Sequence, residues 1–318
     1  MKRLQRLRRT QALRDLCAET GFGAAQLIQP LFLDAAASQP ALIPGLLDNR
    51  THSAASLLAQ VDADLAAGVR HFLLFPVPRD KRERGFSADF AATSIARIRE
   101  RCGDSASLWV DTCLCSFAHS GHCCLFDAQG RQDLAATLTE LNCLALTYAS
   151  AGADGVSPSD MNDGRVAAMR GQLDAAGHEL LPIMSYSSKF ASSLYGPFRI
   201  AAQSTPQHGN RRSYQLDVRS RRDAIAASLR CAEEGADLLM VKPGMSSIDL
   251  LAPIIAATQK PVGAYQVSGE YASLVLLARE GLGDFDALLL ESWQVLRRAA
   301  ASFIITYGAR HARRLGLH

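Results

Sequence analysis

An alternation of short apolar runs with longer amphipathic segments limits the possible folds of this chain more than any other feature. The apolar runs have the length of buried strands, and the longer segments repeat their apolar residues at spacings of three and four, as helices do. The sequence predicts eight strands, over residues 27–33, 71–77, 108–115, 155–159, 181–186, 238–242, 261–267 and 303–307. It predicts helices over residues 53–67, 91–101, 134–151, 165–176, 222–234, 248–258 and 285–300.

This order of elements predicts a parallel sheet covered by helices. A chain of 318 residues, 48% of them hydrophobic, can bury one large core. Eight units without a linker favour a closed (β/α)8 TIM barrel over an open doubly wound sheet, and no Gly-x-Gly-x-x-Gly dinucleotide motif follows the first strand. We therefore predict an α/β protein with a short N-terminal arm over residues 1–20 and one barrel domain over residues 21–318.

Charge and cysteine content restrict the partners and the compartment. The formal net charge of +3 gives no electrostatic basis for binding nucleic acid, although basic residues cluster within residues 2–9. That segment lacks the apolar stretch of a secretory signal, and no apolar run approaches the ~18 residues of a membrane span. Eight cysteines suit a reducing compartment better than a disulfide framework. We expect a soluble cytoplasmic protein with no membrane or nucleic-acid partner.

Two lysines occur at predicted strand ends, Lys189 just after the fifth strand and Lys242 at the end of the sixth. Burial of an ammonium lowers its pKa, so that a neutral and nucleophilic amine becomes accessible. Such an amine forms Schiff bases with ketones and aldehydes. The alternative is a lysine that buries its stem and extends its amine into solvent. Two lysines on neighbouring strands favour the catalytic interpretation, because both would face one cavity.

Three cysteines form a compact motif. Cys113 and Cys115 lie on the same side of an extended segment, and a glycine-containing turn returns Cys123 towards them. Three thiolates leave a zinc ion one open position, which is the catalytic arrangement. The alternative is a set of free core cysteines beside a solvent loop. His119 and His122 in the same turn could ligate the metal or donate protons.

Further polar residues end predicted strands at the side of a barrel where active sites lie. These candidates are Asp111 with the third strand, Ser159 and Asp160 with the fourth, Ser268 with the seventh and Tyr307 with the eighth. The strands were located by hydrophobicity and the candidates by their chemistry. Their coincidence therefore supports a site at the C-terminal ends of the strands.

Motifs along nearly the whole chain resemble those of one enzyme family. They include Asp-Thr-Cys-Leu-Cys at 111–115, Gly-His-Cys at 121–123, Ser-Pro-Ser-Asp-Met-Asn-Asp-Gly-Arg-Val at 157–166, Met-Ser-Tyr-Ser-Ser-Lys-Phe-Ala-Ser at 184–192, Tyr-Gly-Pro-Phe-Arg at 195–199, Met-Val-Lys-Pro-Gly at 240–244 and Ala-Tyr-Gln-Val-Ser-Gly-Glu-Tyr at 264–271. The chain resembles the porphobilinogen synthase (delta-aminolevulinic acid dehydratase) family. The resemblance implies a barrel-shaped lyase of porphyrin and heme biosynthesis, which condenses two molecules of 5-aminolevulinate into porphobilinogen with loss of two waters.

The resemblance also implies roles for the two lysines and for a first carboxylate site. Lys242 would form the Schiff base with the substrate that supplies the propionate side of the product. Lys189 would form it with the substrate that supplies the acetate side. Ser268 and Tyr307 would hold the carboxylate of the first substrate.

A second carboxylate site is implied on a lid over roughly residues 195–214. Arg199 and Arg211, with Gln215, would hold the second carboxylate there. Guanidinium groups suit a carboxylate, and the Gly209-Asn210 pair suits a mobile loop. The alternative for the two arginines is a solvated basic face.

By the same resemblance, zinc on Cys113, Cys115 and Cys123 would act as a Lewis acid beside the acetate-side substrate. Asp111 and Ser159 would orient the amino group that ends as the aminomethyl substituent. The family further implies a homo-oligomer, an octamer, assembled through the N-terminal arm.

Several positions depart from the family pattern. Ala226 and Ala227 stand where magnesium-activated members carry an Arg-Glu pair, so we expect no allosteric Mg²⁺ site. The metal loop 119–122, the segment 78–88 and residues 300–302 also differ, and the arm is short. These changes keep two alternatives open. One is a specialised paralogue that condenses another amino ketone or aldehyde by Schiff-base chemistry, and the other is a non-catalytic metal-binding paralogue.

Overall fold

A closed barrel of parallel strands forms the centre of the molecule. The computed structural model describes residue 13 and residues 17–318, so most of the predicted N-terminal arm lies outside the described residues. Within this part the barrel strands are β1 Leu27–Asp34, β2 His71–Val77, β3 Ser107–Thr112, β4 Gly155–Pro158, β5 Met184–Lys189, β6 Leu238–Lys242, β7 Val262–Tyr265 and β8 Ile304–Ile305. Consecutive strands pair in parallel, β8 pairs with β1, and a bridge from Val156 to Ile183 links β4 to the start of β5. The predicted (β/α)8 fold is confirmed.

Helices cover the outside of the barrel. Over the described residues they are α1 Ala54–Ala66, α2 Asp89–Cys102, α3 Leu134–Ser150, α4 Arg165–Ala175, α5 Gly196–Ala201, α6 Arg221–Glu233, α7 Leu251–Thr258, α8 Ser268–Arg279 and α9 Phe285–Arg298. All seven predicted helices are present with small shifts at their ends. The first three residues of the predicted helix 248–258 belong to the 3-10 turn Met245–Leu250, and α7 begins only at Leu251. Helices α5 and α8 were not predicted.

Short elements complete the structure. Ala41–Leu42 and Arg50–His52 form a hairpin, and Arg50–His52 pairs with the end of β1. Leu125–Phe126 and Gln132–Asp133 form a second small hairpin after the cysteine segment. None of the helices in the described part of the chain is both long and apolar enough to cross a lipid bilayer.

The fifth strand begins three residues later than the sequence predicts, at Met184, and it ends at Lys189. Its three serines are fully buried, and neighbouring groups form hydrogen bonds with their hydroxyls. Ser187 Oγ donates to Met240 O at 3.3 Å, and Ser188 Oγ donates to Ala224 O at 2.8 Å. A buried serine whose hydroxyl is paired is tolerated in a core, so hydropathy alone misplaced this strand. The shift places Lys189 inside the sheet.

Candidate active site

Lys189 and Lys242 are neighbours in the barrel wall. They are the last residues of β5 and β6, and the sheet register pairs their Cα atoms directly. Both are buried, with exposed fractions of 4% and 3%. Lys189 Nζ donates a hydrogen bond to the carbonyl oxygen of Ser159, the residue after β4. The structure thus brings the two predicted lysines side by side at the C-terminal ends of their strands.

Aromatic rings surround the amine of Lys242. The distances from its Nζ to the ring centres are 4.1 Å for Tyr265, 4.9 Å for Tyr186, 4.9 Å for Phe198 and 5.3 Å for Tyr195. Burial, and next the positive charge of Lys189, lower the pKa of Lys242 well below its usual value. The nearby carboxyl of Asp111 opposes this only in part. This lowering favours the neutral, nucleophilic form of the Lys242 amine.

Polar atoms that face the lysines lack partners. Asp111, near the end of β3, is buried, and its Oδ1 has no hydrogen-bond partner among the described residues. Burial raises its pKa to about 7, and the two lysines oppose that rise. The hydroxyl of Tyr186 is also buried and unpaired over the described part of the chain. Because buried polar groups are normally paired, these atoms are available to a polar ligand.

The three predicted cysteines come together just beyond β3. The sulfur atoms of Cys113, Cys115 and Cys123 all lie within 4.8 Å of one another, and all three residues are buried. Hydrogen bonds from the other two thiols lower the pKa of Cys115 well below its usual value. Three converging sulfur ligands fit zinc, which prefers sulfur and nitrogen donors and leaves a fourth position open in catalytic sites.

The segment after α5 lies against the cysteine loop. Arg211 Nη2 donates to Gly121 O at 2.8 Å and also to the carbonyl of Ser204. Gly121 has φ +67°, and a Cβ atom there would lie 2.3 Å from Thr205 O. Burial lowers the pKa of Arg211, but the thiol groups of Cys123 and its neighbours raise it more, so it is above the usual value. Only glycine at position 121 allows Thr205 O to lie this close to the cysteine loop.

His122 connects the two loops and is not part of the sulfur cluster. Its Nε2 donates to His208 O at 2.8 Å, and its Nδ1 lies 2.9 Å from the hydroxyl of Tyr214. That hydroxyl also accepts the backbone N–H of Cys123 at 3.2 Å. Both ring nitrogens of His122 are therefore engaged, and the described metal cluster contains neither His122 nor His119.

Arg199, Arg211 and Gln215 present unpaired donors. Both amide atoms of Gln215 are buried without a partner within the part of the chain that the structure describes. The same holds for Nε of Arg199 and for Nε of Arg211. Burial, and next the charge of Arg211, lower the pKa of Arg199. Two guanidinium groups and one amide with unpaired polar atoms are groups of the kind that bind a carboxylate.

Ser268 and Tyr307 lie near the aromatic side chains that surround Lys242. Ser268 is the first residue of α8 and not the end of β7, and its Oγ accepts the Phe198 N–H at 3.1 Å. Tyr307 follows β8 and is fully buried, with its hydroxyl 3.1 Å from that of Tyr265. The ring of Tyr265 in turn contacts Lys242. The hydroxyl groups of Ser268 and Tyr307 thus lie beside the aromatic residues that surround the Lys242 amine.

The aromatic side chains around Lys242, which we call the aromatic wall, were not predicted from the sequence. Tyr186, Tyr195, Phe198 and Tyr265 were not named as site residues. A signal existed for Tyr265, because Val241 pairs with Ala264 and so places Tyr265 level with Lys242. Finding it required the sheet register, which the strand pattern alone does not define.

Comparisons with known proteins agree with this geometry. The model of the family "Delta-aminolevulinic acid dehydratase" matches residues 1–315. A delta-aminolevulinic acid dehydratase of Mycobacterium tuberculosis (strain H37Rv) is 40% identical over 314 residues, which are 97% of this chain and 95% of the relative. The protein of that name from Escherichia coli (strain K12) is 37% identical over 312 residues, 97% of this chain and 96% of the relative.

A solved structure has the same fold throughout. It is delta-aminolevulinic acid dehydratase (porphobilinogen synthase) from Toxoplasma gondii ME49, in complex with the reaction product porphobilinogen. The TM-score is 0.92 at 36% identity, and the match covers 99% of this chain and 91% of that chain.

Proposed function

Because the chain belongs to the delta-aminolevulinic acid dehydratase family, we propose that it is a porphobilinogen synthase, which condenses two molecules of 5-aminolevulinate into porphobilinogen on the route to heme. The relatives are named for this activity, and the similar Toxoplasma structure contains the product. The chain is thus an enzyme of the lyase class. The observation that best supports the reaction is the in-register pair of buried lysines, because two substrates need two anchoring amines.

Each lysine would anchor one substrate as a Schiff base. The neutral amine of Lys242 would attack the ketone carbon of the first 5-aminolevulinate, a C–N bond would form, and the ketone oxygen would leave as water. Lys189 would bind the second substrate in the same way. Asp111 and Ser159 would orient the amino group of that second substrate, since Oδ1 of Asp111 is buried without a partner among the described residues and its carboxyl interacts electrostatically with both lysines.

Two carboxylate sites would fix the orientation of the substrates. Ser268 and Tyr307 would hold the first carboxylate on the aromatic side of the cavity. The unpaired donors of Arg199, Arg211 and Gln215 would hold the second. Because the lysines are neighbours and the carboxylate sites are distinct, the two substrates would be held in different orientations, as an asymmetric product requires.

Cys113, Cys115 and Cys123 would hold a zinc ion. When bound, zinc supplies a Lewis acid next to the second substrate. The chain itself would supply the positive charge of Arg211 beside the thiolates. The donor set supports this proposal, because it is entirely sulfur and lacks the oxygen ligands that magnesium or calcium require.

We also propose a cytoplasmic homo-oligomer, an octamer by analogy with the family, that uses the arm over residues 1–20. Light scattering of the full chain and of a chain lacking residues 1–20 would test this. A loss of the large assembly on truncation is expected, and an unchanged mass would contradict the role of the arm.

Borohydride trapping combined with a colorimetric assay for porphobilinogen tests the function. Wild-type protein with 5-aminolevulinate should yield product, and borohydride should fix substrate to Lys242 and Lys189, as peptide mass spectrometry would show. Lys242→Ala and Lys189→Ala should each lower the rate by several orders of magnitude, because water cannot replace the nucleophile. Lys260→Ala, which alters a half-buried lysine outside the site, is the matched control.

The same experiment distinguishes the alternatives. Adducts without porphobilinogen would favour a paralogue that condenses another amino ketone or aldehyde. The absence of adducts on both lysines would favour a non-catalytic, metal-binding protein. Either result would contradict the proposed synthase.

A further inference from the structure

The carboxylate of Glu270 joins two loops at the C-terminal end of the barrel. Glu270 lies in the first turn of α8, two residues after Ser268. Its Oε1 accepts the backbone N–H groups of Met245 at 2.9 Å and Ser246 at 3.3 Å. Its Oε2 accepts the N–H of Val267 at 2.8 Å. One side chain thus holds three backbone amides from two separate segments.

The first segment is the turn that follows Lys242. Gly244 N–H in this turn donates to Tyr265 O at 2.7 Å. On the opposite side, the carbonyl of Lys242 accepts the N–H of Phe190 at 2.9 Å and the hydroxyl of Tyr195 at 3.3 Å. The backbone of Lys242 is therefore fixed from β5 on one side. Glu270 and β7 fix the turn after it on the other.

The second segment is the start of α8, which carries Ser268. Gly269 N–H donates to Leu194 O at 2.8 Å, and a Cβ atom on Gly269 would lie 2.6 Å from that oxygen. Ser268 Oγ accepts the N–H of Phe198, whose ring contacts the amine of Lys242. The hydroxyl of Ser268 and the amine of Lys242 thus share Glu270 as a common support.

We propose that Glu270 is a positioning residue that sets the separation between the Lys242 amine and the Ser268 hydroxyl, and thereby selects keto acids by the spacing of ketone and carboxylate. This inference rests on the proposed function. In 5-aminolevulinate two methylene groups separate the ketone carbon from the carboxylate. A misplacement of about 1 Å between anchoring groups can lower a rate by about 100-fold, so a rigid separation discriminates between chains that differ by one methylene.

A helix-capping role alone does not account for the geometry. A capping glutamate needs only the N–H at the start of its own helix, which here is that of Val267. The bonds from Met245 and Ser246 to Oε1 are additional, and they reach outside the helix to the turn after Lys242. Glu270→Gln can keep an oxygen for that turn, whereas Glu270→Ala removes both acceptor oxygens and so all three hydrogen bonds.

Borohydride trapping with two keto acids that lack the amino group tests the inference. The probes are 4-oxopentanoate, which has the spacing of 5-aminolevulinate, and 5-oxohexanoate, which has one more methylene. We expect wild-type protein to be labelled on Lys242 at least ten-fold faster by 4-oxopentanoate. Glu270→Ala should reduce this ratio to within about two-fold and raise the KM for 5-aminolevulinate more than it lowers kcat. Glu270→Gln should retain an intermediate preference.

The control is Glu291→Ala, which removes an exposed carboxylate on α9. An unchanged labelling ratio in both Glu270 variants would overturn the inference while leaving the proposed function intact. If Glu270→Ala fails to fold, the ratio of Glu270→Gln decides alone, and a ratio equal to that of wild type overturns the inference. Failure of wild-type protein to trap either keto acid would overturn the proposed function and this inference together.

Discussion

The variant Gly121→Ala tests whether the contact between the cysteine loop and the segment that carries Arg211 is needed for activity, without disturbing the core of the barrel. Gly121 lies between the cysteine loop and the segment that carries Arg211, and its φ is +67°. A left-handed conformation costs an alanine roughly 1–2 kcal/mol. In addition, the new Cβ would lie 2.3 Å from Thr205 O, whereas ordinary contacts begin at 3.4 Å. The segment must therefore move by about 1 Å.

This displacement should affect turnover more than folding. Arg211 donates to Gly121 O, so a shift of the segment moves the guanidinium that we place on the second carboxylate. A misplacement of about 1 Å can cost about 100-fold in rate, and we expect kcat/KM for 5-aminolevulinate to fall by roughly that factor. The free energy of unfolding should fall by only about 1–3 kcal/mol, because the barrel core is untouched.

Gly130→Ala is the matched control. Gly130 has φ +74°, close to that of Gly121, but no atom lies within 4 Å of its added Cβ. The two variants therefore share the backbone penalty and differ in the clash. Porphobilinogen formation, zinc content and thermal unfolding should be measured for both. Equal kcat/KM values for the two variants would refute the argument that the contact between the loops positions the arginine.

Three further predictions concern metal and pH. Removal of zinc by a chelator, verified by elemental analysis, should abolish turnover and leave a cooperative thermal transition. The fold should persist because the hydrophobic core is large enough to stabilise it without a metal. Activity in metal-free protein would contradict the zinc assignment. Added magnesium should not raise the rate of the zinc-loaded enzyme, because Ala226 and Ala227 offer no oxygen ligands, and a several-fold activation would contradict this. Burial, and next the charge of Arg310, lower the pKa of His52 to about 4. The neutral imidazole of His52 therefore contributes fully to the free energy of unfolding above pH 6.5, and this contribution is lost as the pH falls towards 4. Between pH 8 and pH 5, the unfolding free energy of wild type should thus fall by about 2 kcal/mol more than that of His52→Gln, as measured by denaturant titration. If the two unfolding free energies fall in parallel with pH, His52 does not contribute in this way.

The order of the elements was predictable from the sequence because most strands of a barrel are apolar along their whole length. The predicted limits of β2 and β6 agree with His71–Val77 and Leu238–Lys242. The failure at β5 has a physical cause, since four of its six residues are serine or lysine and are buried only because the fold supplies partners. Helix α8 was missed because its first residues, Ser268 and Gly269, read as the end of a strand and a turn.

The convergence of the two lysines and of the three cysteines was predictable, but their surroundings were not. Lysines and cysteines were identified because those types are unusual at strand ends. The aromatic wall and Glu270 consist of residue types that are ordinary in a core or on a helix. Their contacts in the site depend on the sheet register, which places Tyr265 beside Lys242, and on the loops, which bring Met245 within hydrogen-bond distance of Glu270. Neither is encoded in local spacing.

The barrel gives two chemically identical lysines different surroundings through their outer neighbours. Lys189 and Lys242 share one register position, but Lys189 also borders the β4 side, where Ser159 O accepts its hydrogen bond. Lys242 borders the β7 side, where the ring of Tyr265 lies 4.1 Å from its amine. Burial lowers the pKa of Lys242 well below its usual value. Two identical substrates would therefore meet two amines with different neighbours, as a condensation that gives them different roles requires.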